Sequence, residues 1–378
     1  MRLALLFSIA AAAVCGVVAV LGAQTPTKQS VQSAPPAQPQ ASQPQASQPS
    51  DDDLTFKTSV KEVLAPVTVT TRDGNMVNGL TALDFQLLDN GKPQTVTVDT
   101  VAHPISLVVA VQANSAVEQI LPQIQKIGSI FDQLVIGENG EMAVLAFDHR
   151  IQTMTPFTSD PDKIHNAFKR IRPGSNPSHL NEATTAALNM LRNRPPDHRR
   201  IVVLISESHD NGSHFRVRDV LTEAEFADVV IYTVDISHLL TSLTAKQLPN
   251  RVPNIPPGGI ALPAGQVMTP TLELEQYQNG NWVPLFKEMF TAVKDIFIPD
   301  PLKVYTQFTG GRQYAFMSQR GLESAVAEIG DELHSQYLLT YSPNNQDEAG
   351  FHEIKVEVDK PDLKVRTRNG YWLAAKPK

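Results

Sequence analysis

The sequence predicts an open, mostly parallel α/β sheet inserted between the strands of a β-sandwich. In the middle of the chain, apolar strands alternate with amphipathic helices, which is typical of a parallel sheet with helices on both faces. Before and after this region, hydrophobicity alternates with period two, as in antiparallel strands. Neither terminal set of strands can close a β domain alone. We therefore expect the two ends of the chain to pair and form one sandwich.

The first 23 residues have the composition of an export segment. Met1-Arg2 precedes an uncharged run that ends at Ala23, and the small residues at its end favour a cleaved signal peptide. A run of roughly 20 residues is also long enough to remain as a membrane anchor. In either case we expect a secreted, periplasmic or cell-envelope protein, with membrane contact only through this segment if it is uncleaved. Cys15 is the only cysteine, so cleavage would leave no thiol for disulfides or thiolate catalysis.

Residues 24–53 form a second region, composed almost entirely of Gln, Pro, Ser, Ala and Thr. Such a segment cannot bury enough apolar surface to offset the conformational entropy lost on folding. We therefore predict a disordered linker that holds the folded part away from a surface.

An N-terminal β module is predicted over residues 54–103. Turns are predicted at Asp73-Gly74-Asn75 and at Asp89-Asn90-Gly91, and Asn-Gly between alternating apolar residues is a strong hairpin signal. The predicted strands are 55–60, 65–71, 85–88 and 95–98.

The α/β domain is predicted over residues 104–335. Its strands are expected at 105–111, 142–147, 151–154, 201–205, 229–234 and 314–316. Its helices are expected at 119–134, 162–171, 181–191, 217–227, 282–297, 301–309 and 322–333. Asp300-Pro301 is typical of a helix start, and Gly310-Gly311 of a helix end. Residues 238–281 are rich in proline and lack a clear period, so we predict an insertion on the surface, either functional or inert.

The C-terminal region, residues 336–378, returns to period two. Strands are predicted at 337–341, 352–358 and 363–367, and they are expected to pair with the N-terminal module.

Charge and motifs exclude several functions. The chain has 32 Lys and Arg against 39 Asp and Glu, a formal net charge of −7, whereas nucleic-acid binding needs a clustered basic face. We therefore predict no nucleic-acid partner. The sequence contains no nucleophile elbow, phosphate-binding loop or dinucleotide fingerprint.

Several short sequence motifs, taken together in their order along the chain, resemble those of the bacterial VWFA-related (acidobacterial) domain proteins, which contain a von Willebrand factor type A-like domain. They include Gly79-Leu80-Thr81-Ala82-Leu83-Asp84-Phe85, Asp89-Asn90-Gly91-Lys92, Pro104-Ile105-Ser106-Leu107-Val108-Val109, Thr309-Gly310-Gly311-Arg312 and Tyr337-Leu338-Leu339-Thr340-Tyr341-Ser342-Pro343. The resemblance extends from about Phe56 to Trp372. It implies an exported, Rossmann-like α/β domain that is used for binding.

The same resemblance implies a divalent-cation site on three loops, built from an Asp-x-Ser-x-Ser motif, a Thr and a later Asp. The corresponding residues here are Gln112, Asn114 and Ala116 on the first loop, Ser178 on the second and Glu207 on the third. Only one carboxylate remains, and magnesium needs a near-octahedral set of oxygen ligands. We therefore predict no tight metal site and no cofactor, although weak magnesium or calcium binding through Glu207 stays open.

These expectations favour a non-enzymatic interaction or adhesion module with a degenerate metal site. Asn114, Ser115, Ser178 and Glu207 are the predicted ligand-binding residues, no residue is predicted to be catalytic, and the partner is an unidentified extracellular or envelope protein or glycan. Two alternatives stay open, because a fold alone does not determine a function. One is a hydrolase that uses Glu207 with histidines from the same edge of the sheet (His149, His179 and His209), and the other is a structural subunit of an envelope assembly.

Overall fold

The structure is a computed structural model that describes residues 62–99, 103–131, 139–210, 212–237, 282–291, 296, 298–315 and 318–373. By packing, the chain divides into two units, residues 1–58 and residues 59–378. The predicted export segment, the linker, the strand at 55–60 and the insertion at 238–281 lie outside the described residues. Within the described part, no helix is long and apolar enough to cross a bilayer.

A six-stranded sheet lies at the centre of the α/β region. Its strands are β5 (Ile105–Gln112), β6 (Glu141–Phe147), β7 (Ile151–Thr158), β8 (Arg199–Ser206), β9 (Val229–Asp235) and β10 (Gln313–Ala315). They lie in the order β10-β9-β8-β5-β6-β7, and all neighbours are parallel except β6 and β7. Every residue of β5 is buried, because helices cover both faces of the sheet.

Helices pack on both faces of this sheet. One face carries α1 (Leu121–Ile124), α2 (Gly128–Phe131), α3 (Pro161–Arg170) and α8 (Gln319–Ser335). The other carries α4 (Leu180–Arg192), α5 (Val217–Phe226), α6 (Val283–Thr291) and α7 (Pro301–Thr309). As predicted, the Asp300 side chain caps α7 by accepting a hydrogen bond from Lys303 N, and Gly310 ends it with a φ of 84°.

The prediction of one continuous helix over residues 119–134 is wrong. The described part of this segment forms α1 and α2, with a turn between them. Pro122 lies in the first turn of α1, where its missing N–H costs nothing. Proline disfavours a helix that continues through it, so the helix does not begin at residue 119. The apolar residues still face the core: Ile120, Ile124, Ile127 and Phe131 are buried. Two short helices thus satisfy the periodicity that predicted one long helix.

Strands from both ends of the chain form two antiparallel sheets that enclose a common core. The first sheet has the order β13-β1-β11-β4 and the second β14-β12-β2-β3. From the N-terminal side come β1 (Val63–Thr71), β2 (Phe85–Asp89), β3 (Lys92–Gln94) and β4 (Thr97–Asp99). From the C-terminal side come β11 (Tyr337–Tyr341), β12 (Gly350–Val358), β13 (Leu363–Thr367) and β14 (Gly370–Leu373). The α/β region is therefore inserted in a sandwich that both ends of the chain build.

Two details of the sandwich differ from the prediction. The hairpin strand after Asn90-Gly91 is β3, not residues 95–98. Asn90 and Gly91 have φ values of 49° and 76°, as in a two-residue turn, and this places Lys92 opposite Asp89. The segment at 97–99 crosses to the other sheet and pairs with β11. A fourth C-terminal strand, β14, is present in addition to the three predicted.

Candidate functional site

The candidate site lies at the carboxyl edge of the central sheet, between β5 and β8. From β5 the chain proceeds to β6 on one side, and from β8 it proceeds to β9 on the other. Where neighbouring parallel strands connect in opposite directions, a crevice opens between their carboxyl ends, and ligands of open α/β sheets bind there. We call this crevice the rim and define it by Gln112 at the end of β5, Asn114 after β5, Asn176 on the loop before α4, and Glu207 after β8.

The Gln112 side chain lies at the centre of the rim and is fully buried. Its Nε2 donates to Asn114 Oδ1 at 3.0 Å and to Glu207 Oε2 at 2.8 Å. Its Oε1 accepts from Glu207 N at 2.8 Å and from Ser206 Oγ at 2.8 Å. Both N–H groups and both lone pairs of the amide are therefore used. Gln112 thus joins the end of β5 to Glu207, which follows β8 and lies 95 residues away in sequence.

Two backbone groups fix the orientation of the rim amides. Glu207 N can only donate, so the Gln112 atom next to it is the oxygen, and Nε2 must face Asn114 and Glu207. Asn176 O can only accept, so the Asn114 atom 2.8 Å from it is Nδ2. Asn114 therefore turns its oxygen towards Gln112, and both amide assignments follow from the hydrogen-bond network.

The remaining predicted binding residues lie on or beneath the rim. Ser115 is exposed, and its Oγ donates to Asn176 Oδ1 at 3.3 Å. Ser178 is only 2% exposed, and its Oγ has no hydrogen-bond partner among the described residues. The structure thus brings Gln112, Asn114 and Glu207 into one network and places Ser115 beside it. Ser178 is not part of this hydrogen-bond network.

Asp148 supports the rim from below and was not identified from the sequence. It follows β6 directly, is 1% exposed, and accepts hydrogen bonds from Ser175 N at 2.9 Å and Arg150 N at 2.7 Å. Burial disfavours its charge, but these N–H groups and the Arg150 guanidinium outweigh that effect, so the pKa of Asp148 lies below its usual range. A Cβ on Gly174 would lie 2.0 Å from Asp148 Oδ2, so only glycine allows this approach. An acid directly after a buried strand was the available signal.

His149 does not form a catalytic relay with Ser175 and Asp148. Ser175 Oγ contacts His149 Nδ1, and Asp148 Oδ2 lies 3.4 Å from that same nitrogen, whereas a relay needs serine and acid on opposite ring nitrogens. His209 lines a cleft of about 410 Å³. His149 and His179, both within the described part of the chain, do not line that cleft. The histidines expected in the hydrolase alternative therefore do not share this cleft.

The rim residues do not fit the divalent cation that the resemblance implies. Asn114 and Glu207 are at two of the positions that would supply metal ligands. Their oxygens, Asn114 Oδ1 and Glu207 Oε2, both accept hydrogen bonds from the N–H groups of Gln112. A cation that reached both oxygens would have to displace this buried amide. Across the described residues, no group of three or more His, Cys, Asp or Glu is placed to hold a metal ion.

One protein family and several solved structures are similar to this chain. Residues 109–209 match the family model described as von Willebrand factor type A domain, a segment that includes every rim residue. No curated protein matches the chain. Solved structures that resemble it include an aerotolerance-related membrane protein from Bacteroides fragilis NCTC 9343, with 12% identity, a TM-score of 0.39, and coverage of 61% of this chain and 98% of that one.

Two other similar structures are a conserved hypothetical protein, BatB, from Bacteroides thetaiotaomicron and the vWF domain of the type V pili tip protein Mfa5 from Porphyromonas gingivalis. The first has 12% identity and a TM-score of 0.38, and covers 60% of this chain and 99% of that one. The second has 18% identity and a TM-score of 0.27, and covers 29% and 40%.

Proposed function

Because the chain carries a von Willebrand factor type A domain over residues 109–209, we propose that it is a non-enzymatic interaction module of the adhesion type. The partner binds at the rim and is a protein of the cell envelope or the extracellular space.

The position of the rim is the observation that best supports this proposal. Gln112, Asn114 and Glu207 lie at the carboxyl ends of β5 and β8, where the strand order reverses and where α/β sheets bind their ligands. Unlike a flexible surface loop, these side chains are held by hydrogen bonds across the sheet. A site fixed in this way loses little conformational entropy when a partner binds.

The exposed part of the rim indicates which chemistry a partner would offer. Ser115 and Asn176 are exposed and Glu207 is half-buried, so the surface presents hydroxyl, amide and carboxylate groups. Gln112 contributes no net charge to balance Glu207. A partner that donates N–H groups, such as an arginine or lysine side chain, would complement this surface through charge-assisted hydrogen bonds.

Site-specific photocrosslinking in the producing cell would test the proposal. A photoreactive amino acid replaces exposed Ser115 in the full chain, and in a matched control it replaces Leu83, which is 96% exposed on the sandwich. We expect a defined protein adduct from position 115 and none from position 83. An adduct only from position 83, or none from either position, would contradict binding at the rim.

Competition separates recognition from chance proximity. Excess purified chain should abolish the adduct at position 115, whereas the same chain carrying Glu207→Arg should compete at least tenfold less well, because it reverses the charge at the rim. Glu207→Gln keeps an oxygen acceptor for Gln112 but removes the charge, and it should be intermediate. Equal competition by all three chains would show that Glu207 does not contact the partner.

A further inference from the structure

The hydrogen bonds of Gln112 account for the misfit between the rim and a cation. A cation in this crevice would draw together oxygens from the ends of β5 and β8. Here the two facing oxygens, on Asn114 and Glu207, lie 3.0 and 2.8 Å from a single nitrogen, Gln112 Nε2. That nitrogen carries two N–H groups, each of which donates to one oxygen. The amide therefore makes the same connection between the loops without a metal.

We propose that the side-chain amide of Gln112 is a built-in replacement for the divalent cation. It holds the two loops in one arrangement at all times, so the shape of the rim does not depend on calcium, magnesium or manganese. The carboxylate of Glu207 is kept in place by the amide N–H, and by the bond from its own backbone N–H to Gln112 Oε1. This inference concerns the chain alone. It can therefore fail while partner binding at the rim is confirmed, and it can hold while partner binding fails.

Burial supports this role. Gln112 is 0% exposed and Asn114 is 4% exposed, so water does not compete for their hydrogen bonds. Losing one partner of a buried hydrogen bond leaves the other unsatisfied, which costs more than the bond itself contributes. The amide is therefore needed for the loops to close, because no other described side chain donates to Glu207 Oε2.

Two near-isosteric variants of the full chain test the proposal. Gln112→Glu puts a carboxylate opposite Glu207 and Asn114, which removes the donor and supplies the missing acid ligand. Gln112→Met removes the donor and supplies no ligand. Thermal unfolding is followed for the wild type and both variants, in a chelator and in millimolar calcium, magnesium or manganese.

We expect the Tm of the wild type to be the same in chelator and in each cation. Gln112→Glu should have a lower Tm in chelator, because two carboxylates then face each other, and should recover by several degrees in calcium or manganese. Gln112→Met should have a lower Tm that no cation restores. A wild type that responds like Gln112→Glu, a Gln112→Met variant as stable as the wild type, or a Gln112→Glu variant that ignores cations would each overturn the proposal.

Manganese binding to the wild type, measured by electron paramagnetic resonance, gives a result even if a variant fails to fold. We expect no stoichiometric bound manganese in the wild type. One bound manganese per chain that is lost in Glu207→Gln would show a working cation site and overturn the proposal.

Discussion

His352 Nδ1 lies 2.7 Å from Asp89 Oδ1 in the core of the sandwich, and both side chains are fully buried. Asp89 ends β2 and His352 belongs to β12, so this contact joins the two ends of the chain. His352 Nε2 lies 2.6 Å from Glu348 O, so both ring nitrogens face oxygen acceptors. The hydroxyls of Tyr341 and Tyr371 also donate to Asp89 Oδ2, at 2.9 and 2.8 Å. Buried polar groups are tolerated when they are hydrogen-bonded in this way.

Replacing either residue of this pair should strongly destabilise the sandwich. We expect Asp89→Ala or His352→Ala to lower the free energy of unfolding by about 3–5 kcal/mol, because the remaining group stays buried without its partner. Denaturant unfolding measures the loss. Lys355→Ala is the matched control on β12, since Lys355 pairs with Glu357 in an exposed position, and it should leave the midpoint almost unchanged. A midpoint for Asp89→Ala equal to that of the control would refute a structural role for the buried network.

A second contact, buried on its Glu332 side, should couple the sandwich to the α/β region. Glu332 on α8 is 1% exposed, contacts Arg366 of β13, and accepts from Tyr232 Oη at 2.7 Å. Burial disfavours the charge of Arg366, but Glu332 outweighs that effect and raises its pKa. We expect Glu332→Ala to cost about 3 kcal/mol or more.

The control for this variant is Glu328→Ala on the same helix. Glu328 pairs with Arg312 at 3.5 Å while half exposed, and its removal should change stability by no more than about 0.5 kcal/mol. Unfolding is followed by circular dichroism and by tryptophan fluorescence. Coincident transitions in the wild type would support a single cooperative unit. A loss in Glu332→Ala no larger than that of Glu328→Ala would show that the contact contributes little.

Gly311 should not tolerate any side chain. A Cβ at this position would lie 1.9 Å from Ile231 O, a backbone atom of β9 that cannot move without breaking the sheet. We expect Gly311→Ala to cost about 3 kcal/mol or more, as in severe overpacking. Gly91→Ala is the control, because Gly91 has a φ of 76° but a Cβ added there would meet no heavy atom within 4 Å; it should cost about 1–2 kcal/mol. Thermal unfolding that ranks Gly91→Ala as the more damaging change would contradict the steric account.

Several parts of the fold could be predicted because they depend on local pattern. The mostly apolar residues 105–111 predicted a strand of a sheet with helices on both faces, and Asp300-Pro301 with Gly310 predicted both ends of α7. The break between α1 and α2 could not be predicted in this way. Ile120, Ile124, Ile127 and Phe131 keep one spacing whether the backbone is one helix or two, because periodicity reports which side is buried and not where the backbone turns.

The candidate site was predictable only in part, for a similar reason. Chain order placed Asn114 and Glu207 after strands, and parallel topology brings such positions to one edge. The hydrogen bond from Gln112 to Glu207 joins residues 95 positions apart, and no local spacing encodes which amide atom faces which oxygen. In the sequence alone Gln112 is a lost ligand, whereas in the structure its side chain is the centre of the network. Asp148 was missed because a single buried acid has no periodic signature.

The contribution of Asp148 to stability should depend on pH. Its folded-state pKa lies below the ordinary value of 3.8, so its stabilising effect is fully present well above that value and is lost as the pH falls through the folded-state pKa. We expect Asp148→Asn to cost about 2–3 kcal/mol at pH 7, because an amide accepts the N–H groups of Ser175 and Arg150 less strongly than a carboxylate. The difference between wild type and variant should shrink steadily below about pH 4, because the carboxyl then becomes protonated in the unfolded wild-type chain while it stays charged in the folded one. Urea unfolding at neutral and acid pH measures both effects.

Arg150→Ala is the control. It keeps the backbone N–H that donates to Asp148 and removes only a side chain that is 57% exposed, so it should cost less at neutral pH. A difference between wild type and Asp148→Asn that stays constant down to pH 3 would mean that the charge of Asp148 does not hold the loop beneath the rim.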